Sequence, residues 1–181
     1  MSDLKIELKG EQFRRAYLLY VIKVAHNERG DFYYVGQTGD NRYTTARPAF
    51  RRLSGHMEDT GQSTQNQVYR YIATKVLGHE EAEEKKALTE DVKQSVEDFL
   101  VGSTVQMHIY QAEGFSPGVH HEKHLEIVRR VTQLERHVIR AFIDSERTLM
   151  NKKVTRPKGD CPYPRVLRHI RSDFGLISED N

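Results

Sequence analysis

The sequence predicts an α/β fold: a small three-stranded antiparallel sheet flanked by helices and elaborated by a helical insertion. Three observations predict it. Two aromatic and β-branched runs, Tyr17 to Ala25 and Phe32 to Gln37, are separated only by His26-Asn27-Glu28-Arg29-Gly30-Asp31, which reads as a β-hairpin with a short loop. Thr104 to Tyr110 alternates strictly, with Val105, Met107 and Ile109 on one face and Gln106, His108 and Tyr110 on the other, so it reads as a third strand. Apolar residues at helical spacing fill the stretches between and beyond these strands.

Arg47 to Met57 carries Phe50, Leu53 and Met57 at helical spacing, with Pro48 placed in a first turn after Thr45. Thr64 and Gln67 resemble a capping box before Val68, Ile72, Val76 and Leu77, and Gly78 offers a stop. Leu88, Val92, Val96 and Phe99 mark an amphipathic helix. Its outer face is the acidic block from Glu80 to Asp98, with eight acids against Lys85, Lys86 and Lys93. The longest helix runs from about His121 to Ser145. At the 100° per residue of an α-helix, Ile127, Val128, Val131, Leu134, Val138, Ile139, Ala141 and Phe142 fill one arc. Arg129, Arg130, Gln133, Arg136, His137 and Arg140 fill the other. Glu135 falls inside the apolar arc. An unpaired carboxylate there costs several kcal/mol, so a cation, a metal or a donor network is required beside it.

The 181 residues, with 28 Lys plus Arg against 26 Asp plus Glu and a net of +2, suit one domain over 1–181. Its core spans about 17–151, the acidic helical insertion about 79–101 and a basic C-terminal tail 152–181. The lone Cys161 excludes a disulfide framework and a cysteine zinc knuckle. No apolar run reaches the roughly 20 residues of a membrane span, and Met1-Ser-Asp-Leu-Lys does not open a signal peptide, so a soluble, cytoplasmic protein is expected. Four arginines from Arg42 to Arg52 meet no acid, and seven basic residues from Lys152 to Arg171 meet only Asp160. Two basic segments opposed by one acidic block describe either a face for phosphates or ordinary surface scatter.

On the hairpin stand Leu18-Leu19-Tyr20 and Tyr34-Val35-Gly36-Gln37-Thr38. Here the chain resembles the GIY-YIG nuclease superfamily, whose two eponymous tripeptides occupy adjacent antiparallel strands. The second tripeptide is matched by Tyr34-Val35-Gly36, and the first keeps its tyrosine, with Leu18-Leu19 in place of Gly-Ile. The family places an arginine on the first helix, often with a histidine one turn later, and Arg52 with His56 has that spacing. A glutamate on a later helix and an asparagine beyond it correspond to Glu135 and Asn151. The gap from Gly36 to Arg52 is longer than in compact members, so Arg47, Arg51 and Arg52 compete for the arginine role.

The resemblance implies a metal-dependent endonuclease that hydrolyses DNA, double-stranded DNA in the first instance, with a homodimer as an admissible assembly. A water must be deprotonated, charge on the phosphorane-like oxygens stabilised, and the leaving oxygen protonated or held by a metal. In simple register Tyr20 and Tyr34 are diagonal neighbours on one face. The resemblance then makes Tyr20 the general base, its pKa lowered by a metal-bound water or an arginine, and Tyr34 an orienting group. Arg52 clamps the phosphate, and His56 assists. Glu135 holds a single hard cation, Mg²⁺ or another divalent ion such as Mn²⁺, and Asn151 orients the site. Arg47, Arg51, Lys152, Lys153, Arg156 and Lys158 are the expected DNA contacts.

Each residue also has a plain structural reading. The tyrosines can be strand aromatics, Arg52 and His56 a solvated helix face, Glu135 half of a buried ion pair, and Asn151 a turn residue. The alternative function is therefore a catalytically silent nucleic-acid-binding or protein-interaction module on the same fold. His120-His121-Glu122-Lys123-His124 has histidines at i and i+4 but is one residue short of the HExxH pattern, and it reads as a polar cluster at a helix start.

Overall fold

Strands β1 (Ala16–His26) and β2 (Gly30–Gln37) form the hairpin that the two aromatic and β-branched runs predict, in the simple antiparallel register Tyr20↔Gly36, Val21↔Val35, Ile22↔Tyr34. The computed structural model describes residues 7–59, 66–83, 87–152 and 154–176; Thr64 of the expected capping box, the Glu84–Lys86 part of the acidic block and Lys153 lie outside them. Strand β3 (Ser103–Gly114) is the expected third strand, longer at both ends, and pairs antiparallel with β1. The three-strand expectation is corrected by β4 (Thr148–Leu149), which pairs parallel with β2 and gives a mixed sheet in the order β3-β1-β2-β4. Two residues are too few to show any hydrophobic period, so this strand leaves no signature in the sequence.

The long helix α4 (His121–Asp144) matches its predicted bounds and explains how β4 arises. Parallel strands need a crossover connection. From β3 the chain crosses β1 and β2 as α4 and returns beside β2. Fully buried Val131, Leu134, Val138 and Phe142 form the core side of this helix. Removing such a side chain, as in Phe142→Ala, costs about 3–5 kcal/mol. Leu134, Val138 and Phe142 pack with Leu19, Val21 and Val35 on one face of the sheet, and Val131 packs with Tyr17 and Ala46.

The other face, carrying Tyr20, Ile22, Val24 and Tyr34, is covered by α2 (Gln67–Tyr71), the π-turn that continues it over Ile72–Val76, and α3 (Glu90–Val101). Helix α3 buries Val92, Val96 and Phe99 and turns its acids outward, as its periodicity predicts; Thr89 caps it by accepting from the Val92 amide. Helix α1 (Ala49–Met57) departs from its predicted face. Phe50 is exposed and packs on Phe13, whereas His56 is buried.

The C-terminal segment is not simply a basic tail. Pro164 opens an eleven-residue helix, α5 (Pro164–Phe174), which buries Leu167 and Ile170 in the same core as α4. It stops at Gly175 in the left-handed conformation (φ 57°), the usual glycine end of a helix. Arg165 and Arg168 stay on its exposed side. No described helix is long and apolar enough to cross a membrane.

Candidate active site

The hairpin register sets Tyr20 and Tyr34 diagonally on one face, with ring centroids 6.4 Å apart. Gly36, directly opposite Tyr20, is the residue that allows this. A Cβ there would overlap the Tyr20 ring, coming within 2.8 Å of Cε2. His56 of α1 closes the group: its Nε2 shares a 2.8 Å hydrogen bond with the Tyr20 hydroxyl, and its ring centroid lies 4.4 Å from that of Tyr34. One turn earlier, the Arg52 guanidinium lies 5.9 Å from the Tyr20 ring centroid. Arg52 Nη2 donates to the Gln37 carbonyl at 2.8 Å, and its Nε is buried without a hydrogen-bond partner among the described residues.

The three competing arginines separate on geometry. Arg47 lines the same cleft but pairs with Asp40 at 3.2 Å. Arg51 is exposed on α1. Arg52 alone of the three stands beside Tyr20 without a carboxylate partner, so it supplies positive charge to the group.

Tyr20 is completely buried, and its phenol pKa is pushed up to about 12 by that burial, with Arg52 opposing and Glu135 adding to the rise. Burial likewise holds Tyr34 well above the ordinary tyrosine range. The expectation that an arginine would bring the Tyr20 phenol down is therefore corrected: desolvation outweighs the attraction of the guanidinium.

Glu135 is half-buried and opens into a cleft of about 440 Å³ together with Tyr34, Asn151 and Lys152. A second cleft, about 590 Å³, holds Arg52 and His56 and shares Tyr34 and Gln67 with the first as a common wall. Glu135 makes no hydrogen bond or ion pair among the described residues, which removes the buried ion pair as its explanation there. Desolvation raises its carboxyl to about 7, against the opposing pull of Arg52 and Arg136.

Asn151 is more than a turn residue. Its Nδ2 donates to the Val35 carbonyl at 2.7 Å and its Oδ1 accepts from the Val35 amide at 3.0 Å, so the side-chain amide continues the pairing that β4 begins. The Met150 amide donates to the Tyr33 carbonyl at 2.7 Å. Tyr34 is thereby held from both chain neighbours. Of the other expected DNA contacts, Lys152 reaches the Glu135 cleft, whereas Arg156 and Lys158 lie exposed on the segment after it.

Among the described residues no three His, Cys, Asp or Glu side chains gather around one point. A cation in this cleft would have a single carboxylate and otherwise water or phosphate oxygens. That donor set suits Mg²⁺, which keeps much of its hydration shell, and does not suit zinc. The histidine cluster stands at the start of α4, as its sequence reading expects, and its contacts are structural. His124 is fully buried, with Nδ1 bonded to the Tyr17 hydroxyl at 2.8 Å and Nε2 to the Asp40 carbonyl at 2.7 Å. His121 Nδ1 meets Thr44 Oγ1 at 2.8 Å. These contacts hold the loop that follows β2, and neither Asp40 nor His124 carries a local sequence signal for that role. No protein-family model, curated protein or solved structure matches the chain.

Proposed function

We propose that this protein is a metal-dependent endonuclease that hydrolyses DNA phosphodiester bonds at the paired clefts, with Mg²⁺ or a similar divalent cation held by Glu135. The observation that carries the reading is the Glu135 carboxylate, desolvated and in no hydrogen bond or ion pair among the described residues, sharing a wall with Tyr34 and thereby with Arg52 and His56. Such a carboxylate is a poor choice for stability. A raised carboxyl near 7 stays protonated through mildly acidic pH, and ionising it at neutral pH costs roughly 3 kcal/mol relative to a solvated glutamate. A divalent cation offsets that cost. The order of elements that resembles the GIY-YIG nucleases also supports this reading.

When bound, the cation would supply Lewis acidity and a more acidic water. The chain's own groups do the rest. Arg52, in no ion pair among the described residues, stabilises charge on the non-bridging phosphate oxygens. His56, on the wall of the cleft, assists proton transfer from the attacking water. Tyr20, sealed behind it and too weak an acid to ionise near neutral pH, is a positioning residue that fixes the imidazole through their hydrogen bond. Tyr34 orients water or phosphate, and Asn151 holds Tyr34 in place.

A second reading, the catalytically silent binding module, has one observation in its favour: Tyr20 and His56 are both almost completely buried. Conversion of supercoiled plasmid to nicked or linear forms separates the two. The nuclease reading expects conversion with Mg²⁺ and none in chelator. DNA binding without cutting across a series of divalent ions would leave the binding module.

A further inference from the structure

We infer that the loop from Gly39 to Ala46 presents Tyr43 as a stacking platform for an unpaired base beside the scissile phosphate, so that the preferred substrate is DNA with a bulge or junction rather than a continuous duplex. The inference rests on the endonuclease reading and deepens it. Tyr43 is 68% exposed at the rim of the cleft that holds Tyr34, Arg52 and His56. It stands between Arg42 and Arg47 in sequence, an aromatic set among cations. That combination suits a nucleotide with its base turned out: cations for the phosphate and a ring for the base face.

The loop is held unusually firmly for an exposed segment. Gly39 bridges Ala46, and the Asp40 amide donates to the Thr45 carbonyl at 3.2 Å. Asp40 Oδ1 accepts from the amides of Arg42 at 2.8 Å and Tyr43 at 3.2 Å, while Oδ2 meets Arg47. Helix α4 pins the loop from below, through His124 on the Asp40 carbonyl and His121 on Thr44. An aromatic ring on a pre-ordered loop loses little freedom on stacking, which favours affinity. The adjoining cleft, about 590 Å³, falls in the size range of small-molecule pockets and has room for one nucleotide. Bases are reached most cheaply where they are already unpaired.

The test compares a 25-base-pair duplex with the same duplex carrying a two-nucleotide bulge, both labelled with 2-aminopurine at the bulge position, bound to the full chain in chelator. Wild-type protein is expected to bind the bulged form about tenfold more tightly and to quench its fluorescence, as stacking of one base on an aromatic ring predicts. Tyr43→Ala should lose both the preference and the quenching, and Tyr43→Trp should keep both. A wild-type ratio near one, or a ratio that survives Tyr43→Ala, overturns the inference and leaves the endonuclease reading standing if plasmid is still cut. Tyr43-dependent bulge binding with neither plasmid nor the bulged duplex cut in Mg²⁺ upholds the stacking platform and defeats the hydrolytic reading, with the scissile phosphate it places there. Absence of DNA binding overturns both.

Discussion

Two buried tyrosine–histidine pairs, made from the same strand, differ in everything around them. Tyr17 meets His124 and Tyr20 meets His56, each across 2.8 Å. His124 is closed on both sides, with its second nitrogen on the Asp40 carbonyl, and the pair serves as a clamp between β1, α4 and the loop after β2. His56 instead lines the wall of a cleft, meets Tyr34 at a tilted angle with ring centroids 4.4 Å apart, and lies one helical turn from Arg52, which makes no ion pair among the described residues. A hydrogen bond between identical groups therefore does not by itself tell the structural pair from the one proposed to be reactive. The surrounding charge and the position at the cleft wall differ between them.

The largest effect expected is at Arg52, which has no counterpart beside Tyr17. Arg52→Ala should lower cleavage by about 10²–10³-fold, the usual loss when one donor to a developing oxyanion is removed, while the melting temperature changes little. Single-turnover cleavage read alongside a thermal melt checks this, and undiminished cutting would remove Arg52 from the mechanism.

The histidines come next and should part company. His124→Ala leaves the Tyr17 hydroxyl and the Asp40 carbonyl without their shared partner and should cost about 2–4 kcal/mol in denaturant unfolding. His56→Ala should be smaller in stability and at least about 10²-fold in rate, as expected on losing a group that moves a proton. Equal losses of rate per folded molecule in the two variants would erase the distinction. The tyrosines sharpen it further. Tyr17→Phe and Tyr20→Phe each remove one buried hydrogen bond and should cost about 1 kcal/mol. Only Tyr20→Phe should also shift the acid limb of the pH–rate profile, since it alone touches the imidazole that faces the cleft.

Glu135 gives a pH dependence whose sign is fixed. Its folded-state value, about 7, lies above the ordinary carboxylate value, so the folded protein holds the proton more tightly. The stability this group supplies is complete below the ordinary carboxylate pKa and is lost as pH rises through 7. Glu135→Gln should therefore raise metal-free stability at pH 8 by up to roughly 3 kcal/mol and leave it nearly unchanged near pH 4. Urea titrations at the two pH values measure it; a loss of stability at pH 8 would point to an ionic partner for the carboxylate. The smallest effect belongs to the basic segment after β4. Neutralising Lys152, Arg156 and Lys158 should flatten the salt dependence of DNA binding by up to about one unit of slope per lost phosphate contact, and an unchanged slope would place the DNA elsewhere.

The parts of this fold that local pattern controls are legible in the sequence. The hairpin follows from two aromatic and β-branched runs around a short loop, and the diagonal placement of Tyr20 and Tyr34 follows from its simple register. The position of Glu135 inside an apolar arc is likewise a matter of helical period alone. The parts set by tertiary contact are not legible. Nothing adjacent to His56 or His124 says that both are buried, and β4 is two residues long. Helix α5 is an exception: Pro164, the Leu167–Ile170–Phe174 spacing and Gly175 all mark it, yet its arginines give the stretch the look of a basic tail. The π-turn at Ile72–Val76 lies within a helix that the sequence marks clearly, but its widening comes from packing.

The most direct test of the central claim is plasmid cleavage by wild-type protein and by Glu135→Gln, side by side in Mg²⁺, with thermal melts of both proteins with and without the ion. The account predicts that the wild type cuts and gains stability from Mg²⁺, because the ion binds the folded state alone. It predicts that the variant is folded, at least as stable without metal, indifferent to Mg²⁺ and unable to cut. A variant that still cuts in Mg²⁺, or whose melting temperature still rises with the ion as the wild type's does, would contradict it.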